Sequence, residues 1–246
     1  MSKTIILIPS RLAATRLPNK PLLKINGTSI INHVYEKAKS SNIGEVFVAT
    51  GDQEIFEEVT KKGGKCILTE KEHQTGTDRI FEAYQKLELN NIEYVINLQG
   101  DEPMINIEDI KNLNINAIRN KSEIATLACK IKDKNILNKN NVVKVITDKK
   151  ISKENMSRAS SFLRQVSFNY NANIYHHIGV YMYKVSILEK FVNLKQSKNE
   201  IEQKLEQLRA IDNKIEINVI LANSTPIGVD TREDFLELKK VMNYKN

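Results

Sequence analysis

TIILIPSRLAATRLPNKP, residues 4–21, joins an apolar strand pattern to a loop that contains the cations Arg11, Arg16 and Lys20. Arginine is scarce in this chain, at 8 of the 37 Lys and Arg residues, yet two arginines lie in this one loop. The guanidinium group binds planar, multi-oxygen anions through a rigid fork of donors. Prolines on both sides of Lys20 restrict the backbone and hold its ammonium group at a lower entropic cost. The segment therefore predicts a polyphosphate-binding loop after the first strand.

This loop differs from the common phosphate-binding motifs. It has no glycine before Gly27, so it is neither a Walker P-loop nor a dinucleotide-binding fingerprint, and its cations must provide much of the binding. An ordinary basic surface loop is the alternative, because clustered charges usually lie on solvated faces. The prolines that restrict this loop favour its interpretation as a binding site.

Apolar strand patterns alternate with helical periodicity along the first half of the chain. Strands are predicted at residues 4–8, 45–49, 65–68 and 94–98. Helices are predicted at residues 29–39, 53–62 and 78–87, the last with Asp78 as its N-cap. This alternation predicts an α/β fold with a mostly parallel, doubly wound sheet. In such folds ligands bind at the carboxyl ends of the strands, which is where the basic loop and the turns at 75–79 and 99–103 should lie.

The second half of the chain is less regular. Strands are predicted at residues 124–131, 142–147, 176–183 and 215–221, and helices at 200–210 and 234–242. Residues 152–173 show no clear period. Because the chain has neither an internal repeat nor a low-complexity linker, we expect a single domain over residues 1–246 with an inserted or protruding segment at about 150–200.

Composition limits the partners and the compartment. The net charge of +7 and the pI near 9.2 would suit nucleic acid, but the lysines are dispersed beside acidic residues and no basic run alternates with aromatics. No apolar run approaches the length of a membrane span. We therefore expect neither a nucleic-acid nor a membrane partner. Cys66 and Cys129 are isolated and without metal-ligand spacing, which indicates buried, reduced thiols in a cytoplasmic protein.

Two aspartates follow strand patterns in similar contexts. Asp101 lies in QGDEP and Asp230 in GVDT. Mg²⁺ is usually held by one or two carboxylates together with phosphate oxygens, so beside a cationic loop these residues form a candidate metal pair. Taken alone, each is more often a turn or capping residue. Arg79 has two interpretations as well, an ion pair with Glu82 or a nucleotide contact at a helix start.

Six motifs in order resemble the 3-deoxy-D-manno-octulosonate (KDO) cytidylyltransferases, over nearly the whole chain. They are IPSRLAATRLPNKPL at 8–22, HQTGTDR at 73–79, NLQGDEP at 97–103, HHIGVYMYK at 176–184, LEQLRAID at 205–212 and GVDTREDF at 228–235. The resemblance implies a nucleotide-diphospho-sugar transferase fold, Mg²⁺ as cofactor, a homodimer with a smaller protruding dimerisation piece, and CTP and KDO as substrates. The implied reaction transfers CMP to KDO and releases pyrophosphate, for lipopolysaccharide biosynthesis.

The same resemblance implies roles for individual residues. The catalytic residues would be Arg11, Lys20 and Asp101. The CTP site would comprise Pro9, Ser10, Arg11, Arg16, Lys20, Thr75, Gly76, Arg79 and Gln99. The sugar site would comprise Arg158, His177, Tyr181, Glu206 and Gln207, and the metal would be bound by Asp101 and Asp230.

The chemistry of KDO refines the sugar site. Its carboxylate lies beside the reacting carbon, so we expect Arg158, His177 and Gln207 to form a positive or donor-rich pocket. Glu206 would then bind sugar hydroxyls, because two carboxylates in contact repel each other. His177 as a packed strand residue, and Glu206 with Gln207 as a solvated helix face, are the structural alternatives.

Two other functions stay open at this point. A cytidylyltransferase for another acidic sugar, such as an N-acylneuraminate, shares the first motif in outline. A non-catalytic nucleotide-binding relative is the other, although it would have little need for a metal pair. Asn19 stands where glycine is common in the first motif, and since asparagine tolerates left-handed backbone angles we expect the loop to be retained.

Overall fold

Residues 3–13, 16–166, 173–223 and 228–243 are described by a computed structural model of the chain. They belong to two units, one formed by residues 1–107 and 226–246 and the other by residues 108–225. The sequence predicted one domain over 1–246. The segment predicted to protrude, at about 150–200, falls within the second unit, and its role in dimerisation stays a prediction.

The first unit contains a four-stranded parallel sheet in the order β5-β4-β1-β6. Its strands, with a small hairpin formed by β2 and β3, are β1 (Thr4–Ser10), β2 (Lys24–Ile25), β3 (Thr28–Ser29), β4 (Val46–Thr50), β5 (Cys66–Leu68) and β6 (Tyr94–Asn97). Its first helices are α1 (Ile30–Ser40), α2 (Gln53–Lys61) and α3 (Gly76–Leu87), and a short 3-10 helix spans Lys20–Leu22. The alternation read from the sequence is confirmed in this unit.

Strand β1 is the centre of this sheet. Ile6 pairs with Val46 on one side and with Ile96 on the other. The four apolar residues from Ile5 to Ile8 are at most 1% exposed, which explains why the strand reads as a continuous apolar run: it is covered on both faces.

The strand order reverses beside β1. The chain passes from β1 to β4 and β5 on one side, and then returns through α3 to place β6 on the other side. Because such crossovers are right-handed, α1 and α2 cover one face of the sheet and α3 covers the opposite face. A crevice opens at this reversal, outside the carboxyl ends of β1 and β6. The loops that follow Ser10 and Asn97 form its walls.

The second unit has a mixed sheet. Its strands are β7 (Ile124–Cys129), β8 (Lys144–Thr147), β9 (Ser157–Leu163), β10 (Asn173–Lys184) and β11 (Ile217–Leu221). Its helices are α4 (Ile107–Arg119), α5 (Val185–Val192), α6 (Lys198–Gln203) and α7 (Leu208–Asp212), with a 3-10 helix at Lys134–Asn138. The strand order is β10-β7-β11-β9-β8, and β8 also pairs with β10, so these strands close into a ring.

A mostly parallel sheet is the wrong description of this unit. Only β7 and β11 run parallel among its described pairings, and the others are antiparallel. The physical reason is connectivity: no α-helix lies among the described residues that connect β8, β9 and β10, and short connections can join antiparallel strands but not parallel ones. Strand β9 was not predicted because its sequence SRASSFL is largely polar, although its residues largely alternate between buried and more exposed.

Helices α4 and α5 were not predicted, and two of the predicted helices differ from the structure in how they are divided or capped. The helix predicted at 200–210 is two helices, α6 and α7, separated at Lys204, which has a left-handed φ of 52°. Helix α3 begins at Gly76, and its N-cap is Thr75 instead of Asp78. Asp78 is the third helical residue, and its side chain accepts a hydrogen bond from the Thr75 backbone while the Thr75 side chain accepts one from Asp78.

The last helix, α8 (Arg232–Asn243), belongs to the first unit. Leu238 of this helix and Val229 just before it are fully buried against Leu17 and Ile30. This apolar packing brings Asp230, far along the chain, to the loop that follows β1.

Both cysteines are free thiols, as predicted; Cys129 is buried and Cys66 is half-buried. Burial raises the pKa of the Cys66 thiol to about 12, so it stays protonated at neutral pH. Among the described residues, no helix has both the length and the apolar character that crossing a membrane requires.

Candidate active site

A cavity of about 390 Å³ lies at the carboxyl ends of β1 and β6 in the first unit. All nine residues predicted to bind CTP line it: Pro9, Ser10, Arg11, Arg16, Lys20, Thr75, Gly76, Arg79 and Gln99. Asp101 and Asp230, the predicted metal ligands, line it as well. Four of the lining side chains are cationic, namely Arg11, Arg16, Lys20 and Arg79. The cavity therefore favours an anionic ligand.

Two glycines let the neighbouring turns approach the end of β1. A Cβ atom added at Gly100 would lie 3.0 Å from the Pro9 carbonyl oxygen, and one added at Gly76 would lie 3.2 Å from Pro9 Cγ. Larger residues at either position would push the turn away from the strand. Asn19 adopts a left-handed φ of 56°, which confirms that asparagine accommodates this loop conformation.

Lys20 joins the basic loop to both aspartates. Its Nζ atom donates to Asp101 Oδ2 at 2.6 Å, to the Val229 carbonyl oxygen at 2.7 Å and to Asp230 Oδ1 at 3.4 Å. Arg16 Nη2 donates to Asp230 Oδ2 at 3.2 Å. Two cations and two carboxylates of the predicted site therefore form one charged cluster.

Arg79 lies at the start of α3 with its guanidinium group buried. It donates to Thr69 Oγ1 at 2.6 Å and to the carbonyl oxygens of Glu70 and Lys71, each at 3.0 Å. Arg79 therefore anchors the segment before α3, and the predicted direct pairing with Glu82 is replaced by these contacts. Arg79 also lines the cavity, and its nucleotide contact stays a prediction.

In the second unit, the structure places His177 and Tyr181 side by side on β10. Their ring centroids are 5.4 Å apart, and Phe162 packs edge-on against His177 at 5.1 Å. Burial raises the pKa of the Tyr181 hydroxyl well above its usual value, and the nearby charges of Tyr183 and Glu206 add to this effect. The structure thus brings three of the predicted sugar residues together, His177, Tyr181 and Glu206.

The other two predicted sugar residues occupy different settings. Gln207 directly precedes α7, where its carbonyl oxygen accepts from Ala210 N at 3.2 Å. The Arg158 side chain is 58% exposed on β9, and its Nε donates to Asp148 Oδ2 at 2.9 Å. Arg158 therefore forms a surface ion pair in this structure, whereas Gln207 follows Glu206 in the turn between α6 and α7.

Comparisons with known proteins show the family to which this chain belongs. Residues 5–217 match the family model described as cytidylyltransferase. A 3-deoxy-manno-octulosonate cytidylyltransferase from Rhodopseudomonas palustris is 42% identical over 242 residues, which cover 98% of each chain. This chain belongs to the 3-deoxy-manno-octulosonate cytidylyltransferase family. The family relative from Thermodesulfovibrio yellowstonii is 44% identical over 253 residues, again covering 98% of both chains.

A solved structure supports the same family at the level of the fold. It is a CMP:2-keto-3-deoxy-manno-octonic acid synthetase complexed with CTP, with a TM-score of 0.90, 34% sequence identity and complete coverage of both chains. The cytidylyltransferase fold therefore extends over the whole chain.

Glu102, which directly follows Asp101 in QGDEP, has no role among the sequence-based predictions. Its Oε2 atom is inaccessible and has no hydrogen-bond partner among the described residues, although the residue as a whole is only half-buried. Burial, together with the charges of Asp101 and Asp230, raises the pKa of its carboxyl group to about 8. In the sequence, the second acidic residue of QGDEP could have indicated a further carboxyl group beside Asp101.

The donor set around these residues fits a magnesium ion. Asp101 and Asp230 offer carboxylate oxygens, the ligands that Mg²⁺ prefers, and both line the cavity together with cations that suit phosphate. The described part of the chain has no cluster of three or more His, Cys, Asp or Glu side chains in metal-binding positions. The remaining ligands would therefore be substrate oxygens and water, as is usual for Mg²⁺ at phosphate sites.

His73, the first residue of the HQTGTDR motif, likewise has no role among the sequence-based predictions. Its ring lines the cavity, and Nε2 lies 2.6 Å from Glu82 Oε2. Glu82 also accepts from the Glu70 backbone N–H and pairs with Lys86. Partial burial acts to raise the pKa of Glu82, but the hydrogen bonds that it accepts lower the pKa overall. The ionised carboxylate therefore accepts a hydrogen bond from the N–H group at His73 Nε2.

Proposed function

We propose that this chain is a 3-deoxy-manno-octulosonate cytidylyltransferase, which transfers CMP from CTP to KDO and releases pyrophosphate. The observation that carries the proposal is the charged cluster of Arg16, Lys20, Asp101 and Asp230 in the cavity at the carboxyl ends of β1 and β6. It combines cations for phosphate oxygens with carboxylates for a divalent metal. The names of relatives at about 40% identity supply the sugar and the nucleotide.

The nucleotide would lie in this cavity. Arg11, Arg16 and Lys20 would bind the phosphate oxygens, while Thr75, Gly76 and Arg79 at the start of α3 would contribute donors to the nucleotide. Helix N-termini favour anions because their first amide groups are unpaired. Pro9, Ser10 and Gln99 would complete the wall.

The reaction is a direct displacement. The anomeric hydroxyl of KDO attacks the α-phosphorus of CTP, its proton is lost, and the bond to the pyrophosphate oxygen breaks. Arg11 and Lys20 would stabilise the charge that develops on the phosphate oxygens. Asp101 and Asp230 would hold Mg²⁺, which supplies charge neutralisation at the phosphates when bound. No covalent enzyme intermediate is required.

We assign the sugar to the second unit. His177, Tyr181, Glu206 and Gln207 would contact KDO, and Arg158 would do so only after leaving Asp148. Tyr181 supports this role because its hydroxyl stays protonated and can donate to a sugar oxygen.

We further propose that the enzyme works as a homodimer in the cytoplasm, with residues 150–200 contributing to the dimer, and that its product enters lipopolysaccharide biosynthesis. The two free thiols support a reducing compartment. The subunit number can be measured by light scattering, with a monomer mass excluding the dimer.

Release of pyrophosphate tests the function directly. We expect release only when CTP, KDO and Mg²⁺ are all present. Reactions without sugar, with N-acetylneuraminate in place of KDO, and with EDTA serve as controls. Equal or faster release with neuraminate would reassign the sugar, and CTP binding without any release would make the chain a non-catalytic nucleotide-binding relative.

A further inference from the structure

Strand β10 carries a bulge opposite Thr126. Its pairing with β7 shifts register between Ile178 and Tyr181, and Tyr181 is paired with Thr126 beyond the shift. Two carbonyl groups of this irregular segment converge on the Thr126 hydroxyl: Val180 O lies 2.7 Å from Oγ1 and Ile178 O lies 3.2 Å from it. A bulge leaves strand residues outside the regular ladder, so their backbone groups need other partners.

The hydrogen of the Thr126 hydroxyl is therefore already used. A hydroxyl has one hydrogen, and an oxygen–oxygen distance of 2.7 Å is that of a well-formed hydrogen bond. Without a hydrogen between them, Oγ1 and Val180 O would repel each other. The hydroxyl thus donates towards the two carbonyl groups, chiefly to Val180 O with Ile178 O farther away, and only its lone pairs remain for His177.

His177 Nε2 is the neighbour that faces those lone pairs, at 3.0 Å from Thr126 Oγ1. Since Oγ1 can only accept in this direction, Nε2 must carry the ring proton. The other ring nitrogen, Nδ1, is then the acceptor, and the structure shows no partner for it within the described residues. The Thr126 contact selects one of the two neutral tautomers of His177.

The surroundings also keep the ring neutral. His177 is only 8% exposed, and its neighbours are the rings of Phe162 and Tyr181. Burial lowers the pKa of His177 to about 3, with a smaller contribution from His176. A neutral imidazole cannot act as the cation of a carboxylate pocket, which was one role expected for this residue.

We propose that Thr126 is a positioning residue for sugar selection: it fixes His177 as the Nε2–H tautomer, so that Nδ1 accepts a hydrogen bond from a sugar hydroxyl and the sugar carboxylate is bound elsewhere. This inference rests on the proposed function, because that function makes His177 a sugar contact. It adds a residue outside the six motifs.

Nitrogen-15 NMR of the imidazole groups tests the tautomer in the unmodified protein. The chain has four histidines, and the signals of His177 are those lost in His177→Gln. We expect a protonated Nε2 and an unprotonated Nδ1 that stay unchanged from pH 5.5 to pH 8, with KDO moving chiefly the Nδ1 signal. A proton on Nδ1, or protonation of the ring with a midpoint near its ordinary value, would overturn the proposal.

Kinetics of two Thr126 variants test the consequence. Thr126→Val removes the hydroxyl at nearly constant volume, and we expect KM for KDO to rise about tenfold, the effect of one hydrogen bond, while KM for CTP stays within twofold. Thr126→Ser keeps the hydroxyl and should restore KM for KDO. The matched control is Thr147→Val, which removes the hydroxyl of another buried threonine in the same unit, one that donates to Lys149 O.

The outcomes separate this inference from the function on which it rests. An unchanged KM for KDO in Thr126→Val, or equal effects in Thr147→Val, would overturn the positioning role while leaving the cytidylyltransferase intact. If Thr126→Val fails to fold, the NMR result on the unmodified protein and the Thr126→Ser kinetics decide. Absence of turnover in the unmodified protein would refute the function, and the sugar role of the tautomer with it.

Discussion

At the scale of single residues, Lys20 links the anion-binding loop to the carboxylates. An ammonium group has three hydrogens, and Lys20 directs them to Asp101, Asp230 and the Val229 carbonyl oxygen. Its side chain is only 14% exposed, so bulk water screens these interactions poorly. If the proposed triphosphate enters the cavity, we expect it to take over some of these contacts, so that Lys20 transfers from carboxylate to phosphate.

Replacing Lys20 tests this exchange. We expect Lys20→Ala to lower kcat/KM for CTP by about 10²–10³-fold, since a lost charged contact to a transferring phosphate costs about 2.7–4 kcal/mol of transition-state stabilisation. The control is Lys24→Ala, which removes an exposed lysine of β2 in the same unit. Steady-state kinetics provide the measurement. Comparable losses in both variants would point to a general charge effect and against the phosphate contact.

Asp101 should act through its charge. Asp101→Asn preserves the shape of the side chain but removes one negative ligand for Mg²⁺, so we expect turnover to fall about 100-fold or more and half-saturation to require more Mg²⁺. Initial rates across a magnesium titration provide the test, and Glu93→Gln, an exposed acid that pairs with Lys3, is the control. Near-normal rates at limiting Mg²⁺ would contradict the metal role.

At the scale of elements, the first turn of α3 both caps the helix and lines the cavity of the first unit. Thr75 caps this helix in a reciprocal box with Asp78, and Thr75 also lines the cavity. Helix α6 in the other unit starts with an equivalent box, formed by Ser197 and Glu200. The two caps share their chemistry, but only the first belongs to the cavity wall.

This pair of caps allows a matched comparison. Thr75→Val and Ser197→Ala should each lower the free energy of unfolding by about 1 kcal/mol, because each removes a capping acceptor. Only Thr75→Val should raise KM for CTP. Urea unfolding together with steady-state kinetics measures both quantities. If KM for CTP responds equally to both changes, the α3 cap has no specific part in nucleotide binding.

The turn between α6 and α7 is held by hydrogen bonds from two arginine side chains. Arg209 of α7 donates to both carboxylate oxygens of Glu200 in α6, at 2.8 and 2.5 Å, and this pair is buried. Arg164, just after β9, donates to the carbonyl oxygens of Gln203 and Lys204. These contacts hold the turn that presents Glu206 and Gln207.

At the scale of the whole molecule, a buried neutral histidine makes stability depend on pH. The pKa of His177 is lowered by burial to about 3 in the folded chain, against an ordinary value of about 6.5 when unfolded. Between these values the unfolded chain binds more protons than the folded chain. The contribution of His177 is therefore complete above pH 6.5 and is lost as the pH falls towards 3.

Unfolding by urea between pH 7 and pH 4.5 checks the sign. We expect His177→Gln to remove up to about 1.4 kcal/mol per pH unit from the slope of the free energy of unfolding, the value for one proton. Other acidic and basic groups contribute equally to both proteins, so the difference between the two slopes isolates His177. Parallel slopes would show that the ring is protonated in the folded state as readily as in the unfolded one.

The sequence alone determined the main strands and helices of the first unit and the residues expected to bind the nucleotide. Strand and helix periodicity is local, so β1 and the helices α1 to α3 could be read directly, with boundary errors such as that at Thr75. The two-residue strands β2 and β3 were not predicted, because they are too short to show a period. The loop after β1 could be predicted to bind phosphate, because arginine and lysine held between prolines are residue types that suit such a site. All nine residues expected at the nucleotide do line one cavity.

Only the tertiary structure decided the contacts on which the chemistry depends. Lys20 and Asp230 are 210 residues apart, and apolar packing of Val229 and Leu238 brings them together. The buried Oε2 of Glu102 and the tautomer of His177 likewise follow from neighbours on other segments. Periodicity reports which face of a segment is apolar, whereas burial, proton positions and ion pairs depend on which distant groups pack against it, and no local pattern encodes that.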